Sequence, residues 1–311
     1  ILFSDISIKV ALYSLYKSDV MRSKIESIRE KMLKSTKEQI SASYANEEYA
    51  LMQAINAYNE LSKSYNLMYE RLSEWYGLYY PEIKITNAKT LADLALALNT
   101  NPKDSLEALK AALGEEQRAN SIYEKAICTM GRSMNENEKE AITAFAASSN
   151  SMYETLNKLG EYIKKVSNEI MPNVTFLTDE KIAAELLSKA GSMERLATMP
   201  ASTIQLLGAE KALFKHIKFG SKPPKYGILF KLPAITNGKR SARGRIARLY
   251  ATKISIALKA DYYSKRFIAD KLKQDIEKGI EEINKKPEQK REQRQNPMRG
   301  RMQRHGQHGR R

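Results

Sequence analysis

The stretch 49–79, "YALMQAINAYNELSKSYNLMYERLSEWYGLY", repeats its apolar residues every seven positions. Leu51, Tyr58, Tyr65, Leu72 and Tyr79 keep one register; Ala54, Leu61, Met68 and Trp75 keep a second, three residues on. Two apolar registers with that offset, held over about four heptads, are the a/d seam of a coiled coil. The stretch 142–170, "ITAFAASSNSMYETLNKLGEYIKKVSNEI", follows the same rule. Ile142, Ser149, Leu156, Ile163 and Ile170 fall at a; Phe145, Met152, Leu159 and Val166 fall at d. Each stretch predicts a helix of about 30 residues, roughly 45 Å long at 1.5 Å per residue.

Two such helices in one chain predict an antiparallel coiled-coil hairpin. The insert between them, about 81–135, reads as a small helical lobe at the tip, with Pro81 and Asn101-Pro102 as breaks and Asp104 to Glu107 as a capping-box-like start. The other arrangement pairs each seam with a second copy of the chain. Tyrosine and tryptophan on the seam favour a bulky, shared contact, so homodimerisation is assigned to Leu51, Tyr58, Leu61, Tyr65, Met68, Leu72, Trp75, Leu156, Leu159 and Ile163. The hairpin with its insert takes 36–171. Residues 1–35 read as a lead-in helix or the tail end of an N-terminal domain.

Pro172 ends the second long helix and opens a helical domain over 172–268. "LTDEKIAAELLSKAG" (177–191) is a short helix with Thr178 as N-cap and Gly191 as stop, and "MPASTIQLLG" (199–208) holds another. In Ala209–Phe219, Lys211, Lys215 and Lys218 share one helix face, while Leu213, Phe214 and Ile217 occupy another and are expected to pack on the core. Pro223-Pro224 stiffens the exit, and "YGILF" (226–230) reads as a strand or extended run. Lys239, Arg240, Arg243, Arg245 and Arg248 crowd the start of a long helix, where backbone N–H groups and the helix dipole already favour phosphate. Residues 269–311 read as the end of a C-terminal helix and a basic, disordered tail.

The formal net charge of +16 is unevenly placed. Residues 1–207 hold 24 basic and 27 acidic residues, whereas 208–268 hold 15 and 2. Ordinary surfaces intersperse the two signs, so this segment points to a polyanion, nucleic acid before membrane surface. No apolar run approaches the length of a membrane span. The catalytic inventory is thin: three histidines, one cysteine (Cys128), no metal-ligand spacing and no nucleotide-binding glycine loop. No enzyme, metal or cofactor is expected. A single cysteine suits a reducing cytoplasm.

The chain resembles the Nop-domain family. The resemblance rests on "LSEWYGLYYPEI" (72–83), "MPNVTFLTDEKIAAELLSKAGSMERLATMPASTIQLLGAEKALF" (171–214), "KPPKYGILF" (222–230) and "RGRIARLYATKISIALKADYYS" (243–264). It implies a mainly α fold: the hairpin with its tip insert, then a Nop domain with a basic, RNA-facing surface. It also implies a non-enzymatic scaffold of the archaeal box C/D ribonucleoprotein, cytoplasmic, supporting guide-directed 2′-O-methylation of ribosomal RNA. The implied partners are a guide RNA with a kink-turn, a ribosomal-protein-like kink-turn binder, a second copy of the chain, and fibrillarin, which in the family is carried by a separate N-terminal domain. The implied RNA-facing residues are Gly208, Ala209, Glu210 and Lys211, with Ala212, Leu213 and Phe214 toward the protein partner. The charge reading adds Lys215, His216, Lys218, Lys222, Lys225, Lys239, Arg240, Arg243, Arg245 and Arg248. The competing readings are a spliceosome-type Nop protein and a coiled-coil structural or membrane-surface protein with a basic patch.

Overall fold

The computed structural model describes residues 2–44, 47–98 and 105–285, all of them in helices, turns and loops. Asp104 and the tail 286–311 lie outside the described residues. Helix α1 (Leu2–Tyr44) leads to α2 (Glu47–Tyr76). Three short helices, α3 (Ala88–Leu98), α4 (Ser105–Leu113) and α5 (Glu116–Ile127), precede the long return helix α6 (Glu136–Ile170). Asn135 starts α6 with a capping box: its Oδ1 accepts from Glu138 N at 2.8 Å, and Glu138 Oε2 accepts from Asn135 N at 3.0 Å.

Helices α2 and α6 run antiparallel. The Tyr65 and Tyr153 rings lie 6.0 Å apart, those of Trp75 and Phe145 6.2 Å apart, and a Cβ placed on Gly160 would sit 3.9 Å from Tyr58 Cε2. As α2 advances, its partner on α6 recedes. The a positions close this seam: Leu51, Tyr65, Leu72, Ile142, Ser149, Leu156 and Ile163 are buried. The d positions Leu61, Met68, Trp75, Phe145, Met152 and Leu159 stay half-exposed.

This changes the reading of the dimer residues. Leu51, Tyr65, Leu72, Leu156 and Ile163 are buried inside one chain, because the hairpin brings the two seams together. Tyr58 is covered too, by Lys181, whose Nζ donates to the Tyr58 hydroxyl at 2.6 Å. Only the d-side residues of that set, Leu61, Met68, Trp75 and Leu159, keep a half-open apolar face.

The rest of the chain is a helical domain built on the hairpin base. It comprises α7 (Pro172–Leu177), α8 (Glu180–Ala190), α9 (Met193–Thr198), α10 (Ala201–Leu206), α11 (Glu210–Phe219), α12 (Pro233–Thr236), α13 (Arg243–Lys259) and α14 (Ala269–Lys285). Helix α8 lies across α2 and α6. One apolar core joins Leu51, Ile55 and Ile163 to Leu186, Leu187, Ile246, Ile254 and Leu258. A second core fills the tip, where Tyr76 and Tyr79 meet Leu91, Leu94 and Leu109. Leu272 and Ile276 of α14 belong to the first core.

Two local expectations are revised. "YGILF" is a 3₁₀ turn over Ile228–Lys231, because its backbone pairs with the end of α10 and then curls into α12. Thr178 does not cap α8: its Oγ1 donates to the Val174 carbonyl at 2.8 Å and so closes α7. Gly191 does stop α8, at φ +90°. Finally, a buried carboxylate links distant elements. Asp261 accepts from Asn173 N at 3.1 Å, Asn173 Nδ2 at 2.6 Å and Val174 N at 3.2 Å, tying the end of α13 to the start of α7. Burial pushes the Asp261 carboxyl up, and these bonds only partly oppose the shift.

Candidate nucleic-acid interface

Two glycines set the entrance to α11. Gly208 sits at φ +88°, and a Cβ there would lie 2.6 Å from Ile228 Cγ1. A Cβ on Gly227 would lie 2.0 Å from the Leu207 carbonyl oxygen. The two segments can therefore touch: Gly227 N donates to Gln205 O at 3.0 Å, and Ile228 N donates to Leu207 O at 2.8 Å. Gln205 Nε2 adds a bond to the Lys225 carbonyl at 2.6 Å. Glu210 turns back on its own helix start, Oε1 accepting from Gly208 N at 2.7 Å. A carboxylate there also suits the positive helix end.

Helix α11 is held at its ends and free along its length. At the exit Gly220 adopts φ +64°, and His216 Nδ1 bonds the Ser221 carbonyl. No residue of α11 is buried. Phe214, Ile217 and Phe219 are 73%, 71% and 72% exposed, against the expectation that Phe214 and Ile217 would anchor the helix to the core. Leu213 and His216 are the half-buried residues, and Ala212 is exposed. The reason is geometric: no other helix packs along α11, so its apolar face has nothing within the described chain to lie on. Lys211, Lys215 and Lys218 stand exposed on the other face.

The exit loop leads from α11 to the start of α13. Lys222 and Lys225 are exposed beside Pro223-Pro224. The Lys225 stem runs against α13, since a Cβ on Gly244 would meet Lys225 Cδ at 3.4 Å. No side chain caps α13, and Lys239, Arg240 and Arg248 are exposed around its first turns, with Arg245 half-buried. Arg243 is occupied differently. Its Nε donates to Gly238 O at 3.0 Å and its Nη2 to Thr236 O at 2.7 Å, and the guanidinium lies 5.7 Å from the Phe230 ring. Phe230 stacks in turn on Tyr226 at 4.7 Å and 10°. Arg243 therefore fastens the turn before α13 and is not held out toward a ligand.

The ion pairs Lys231 with Glu185, Lys253 with Asp275 and Lys285 with Glu281 leave the other basic residues of this surface without a carboxylate partner among the described residues. Gln205 and Gly227 shape the surface and went unnoticed in the sequence. A lone amide inside the apolar "TIQLLG" was the available signal. Among the described residues no group of histidine, cysteine and carboxylate side chains could hold a metal, and no helix is long and apolar enough to cross a membrane.

The Nop family model, described as "snoRNA binding domain, fibrillarin", matches residues 57–282. A NOP5 family protein of Methanocaldococcus jannaschii is 39% identical over 253 residues, which cover 81% of this chain and 61% of that one. Nucleolar protein 56 of Saccharomyces cerevisiae is 33% identical over 243 residues, 75% of this chain and 48% of that one. The chain thus spans between about half and three-fifths of these relatives. Among solved structures, a fibrillarin/Nop5p complex aligns with 82% of this chain and 77% of that chain, at 25% identity and a TM-score of 0.47.

Proposed function

The chain belongs to the Nop family, and from that premise we propose that it is a non-catalytic ribonucleoprotein scaffold whose α11 surface engages a kink-turn RNA together with a protein already bound to it. One observation carries this reading. A single ten-residue helix bears three lysines on one face, none with a carboxylate partner among the described residues, and an exposed Phe214 and Ile217 on the face beside it. Lysine attracts phosphate without reading sequence. An apolar face in water asks for an apolar partner, and RNA backbone is not one. Two chemically different ligands meeting at one helix satisfy both faces at once.

In this reading Lys211, Lys215 and Lys218, with Lys222 and Lys225 of the loop and Lys239, Arg240 and Arg248 around α13, neutralise phosphates. Ala212, Leu213 and Phe214 meet the protein. Glu210, His216, Gln205 and Arg243 position these groups. Specificity then comes from RNA shape and from the bound protein. The half-open d positions Leu61, Met68, Trp75 and Leu159 are the surface proposed to pair two copies. Recruitment of fibrillarin, and through it 2′-O-methylation directed by a box C/D guide, is the role proposed for the whole assembly, in line with the family's description.

The test is a gel shift of the full chain with kink-turn RNA alone and with the same RNA carrying its ribosomal-protein-like binder. Tighter binding to the two-component complex is expected. Equal affinity for both would remove the composite surface.

A further inference from the structure

At the far end of α13, about 25 Å from Arg243 by helix length, Lys265, Arg266 and Phe267 form an exposed turn. Lys265 follows a π-helical turn, Ala260–Ser264, at φ +54°; it is the one non-glycine residue with positive φ among the described residues. Glycine usually takes this conformation, and another residue keeps it where the surroundings over-determine the backbone. Here a single buried side chain supplies much of that constraint. Asn173 Nδ2 donates to the Arg266 carbonyl at 2.8 Å, and Asn173 Oδ1 accepts from Ile268 N at 2.6 Å. Both neighbours of Phe267 are pinned, and Asn173 is itself held by Asp261.

The ring that this backbone presents is not buried. Phe267 is 54% exposed and meets Phe176, 43% exposed, edge to face at 5.5 Å and 81°. The Lys273 ammonium lies 5.0 Å from the Phe176 ring centroid. Lys265, Arg266 and Lys273 are exposed and make no ion pair among the described residues, and Asp270 is the one exposed acid between 265 and 273. Large aromatic side chains are ordinarily taken into the core. This fold instead fixes two of them in water beside three cations.

We propose that this turn is a second nucleic-acid contact, which takes unpaired nucleotides of a single strand. Bases stack on Phe267 and Phe176, and Lys265, Arg266 and Lys273 meet the phosphates. The rings decide between ligands. Every base has a π-face to stack, so aromatics interleaved with cations suit single strands of any sequence. An acidic peptide would use the cations and leave the rings idle. The contact rests on the reading of the chain as an RNA scaffold, but it is separate from the kink-turn surface and fails separately.

The probe is a fluorescent twelve-nucleotide oligouridine, titrated into the full chain at low salt and followed by anisotropy. Replacing Phe176→Ala and Phe267→Ala together should weaken binding by about tenfold or more, since each stacked base lost costs about fivefold or more. Phe267→Leu, which keeps an apolar side chain but no π-face, should weaken it in the same direction. Thermal melting should stay normal in both, and so should affinity for the kink-turn RNA–protein complex. A 4-thiouridine version of the oligomer should cross-link to Phe267 or Phe176. Unchanged oligouridine affinity in both variants, or adducts confined to 208–248, would overturn the proposal while leaving the kink-turn reading intact. Binding of a polyglutamate peptide that Lys265→Ala with Arg266→Ala abolishes and the phenylalanine variants keep, with oligouridine affinity unchanged in those phenylalanine variants, would make the turn a protein-docking surface and equally overturn it.

Discussion

Helices α8 and α11 begin alike and end alike. One reads "EKIAAELLSKA" and stops at Gly191, φ +90°; the other reads "EKALFKHIKF" and stops at Gly220, φ +64°. Both are about three turns long and amphipathic. Yet α8 buries Ile182, Ala183, Ala184, Leu186, Leu187 and Ala190, while α11 buries nothing. The difference lies in what surrounds them. Helix α8 lies across the base of the hairpin, where small and aliphatic side chains fit between α2 and α6. Helix α11 is tethered at its ends and carries phenylalanines with no helix packed beneath them among the described residues. A periodic apolar face states that something must cover it; it does not state whether the cover belongs to the same chain.

The largest expected effect breaks the comparison if it fails. Leu187→Ala removes a fully buried side chain and should lower stability by about 2–5 kcal/mol. Phe214→Ala should change it by no more than about 0.5 kcal/mol, because the ring is already in water. Similar melting shifts in the two variants would mean that α11 packs on the chain after all.

A similar contrast exists inside the hairpin, between its buried a positions and half-open d positions. Leu61→Asp with Met68→Asp should leave the helical circular dichroism intact and shift sedimentation from dimer to monomer. Retention of dimers would remove the d face as the pairing surface.

Charge sharpens the comparison further. Lys215→Ala should lower the slope of log affinity against log salt by about 0.7–0.9, the release of one counterion, with normal melting. Arg243→Ala should do the reverse. It leaves the Thr236 and Gly238 carbonyls without their donors and lowers stability by about 1–3 kcal/mol, with little change in slope.

The smallest expected effect is with pH, and its sign differs between the two cores. The bond from Met130 N to Glu82 at 2.7 Å, with Thr129 Oγ1 at 2.8 Å, holds the Glu82 carboxyl below its ordinary 4.5. The unfolded chain then takes up that proton first. The contribution of Glu82 is complete above about pH 4.5 and fades as pH falls through the lower folded value. Asp261 is raised by burial above 3.8, so its contribution is greatest in acid and declines as pH rises through that window. Acid should therefore loosen the Glu82 contacts at the tip and leave the Asp261 contacts in place. Trp75, the single tryptophan, packs at the tip and reports it by fluorescence. Glu82→Gln should flatten the acid limb of that signal.

Much of the fold was legible because coiled coils are written with one period. The two seams and the hairpin depend on residues repeated at fixed spacing. The basic surface was legible as composition. Its working parts were not. Arg243 looks like any arginine at a helix start until the two carbonyls it fastens are seen. The exposure of Phe214 and Ile217 depends on the absence of a neighbour, which no local pattern records. The Phe267 turn is pinned by Asn173, 93 residues before Arg266, and the "PNVT" around that asparagine carries no mark of its distant partners.

The most direct test compares wild type with Phe214→Ser plus Ile217→Ser, each titrated against kink-turn RNA alone and against the RNA with its bound protein. If α11 is a composite surface, the double variant binds naked RNA as the wild type does and loses tenfold or more, about 1.4 kcal/mol, on the two-component complex. Equal affinity of variant and wild type for that complex, with both proteins folded, would contradict the account.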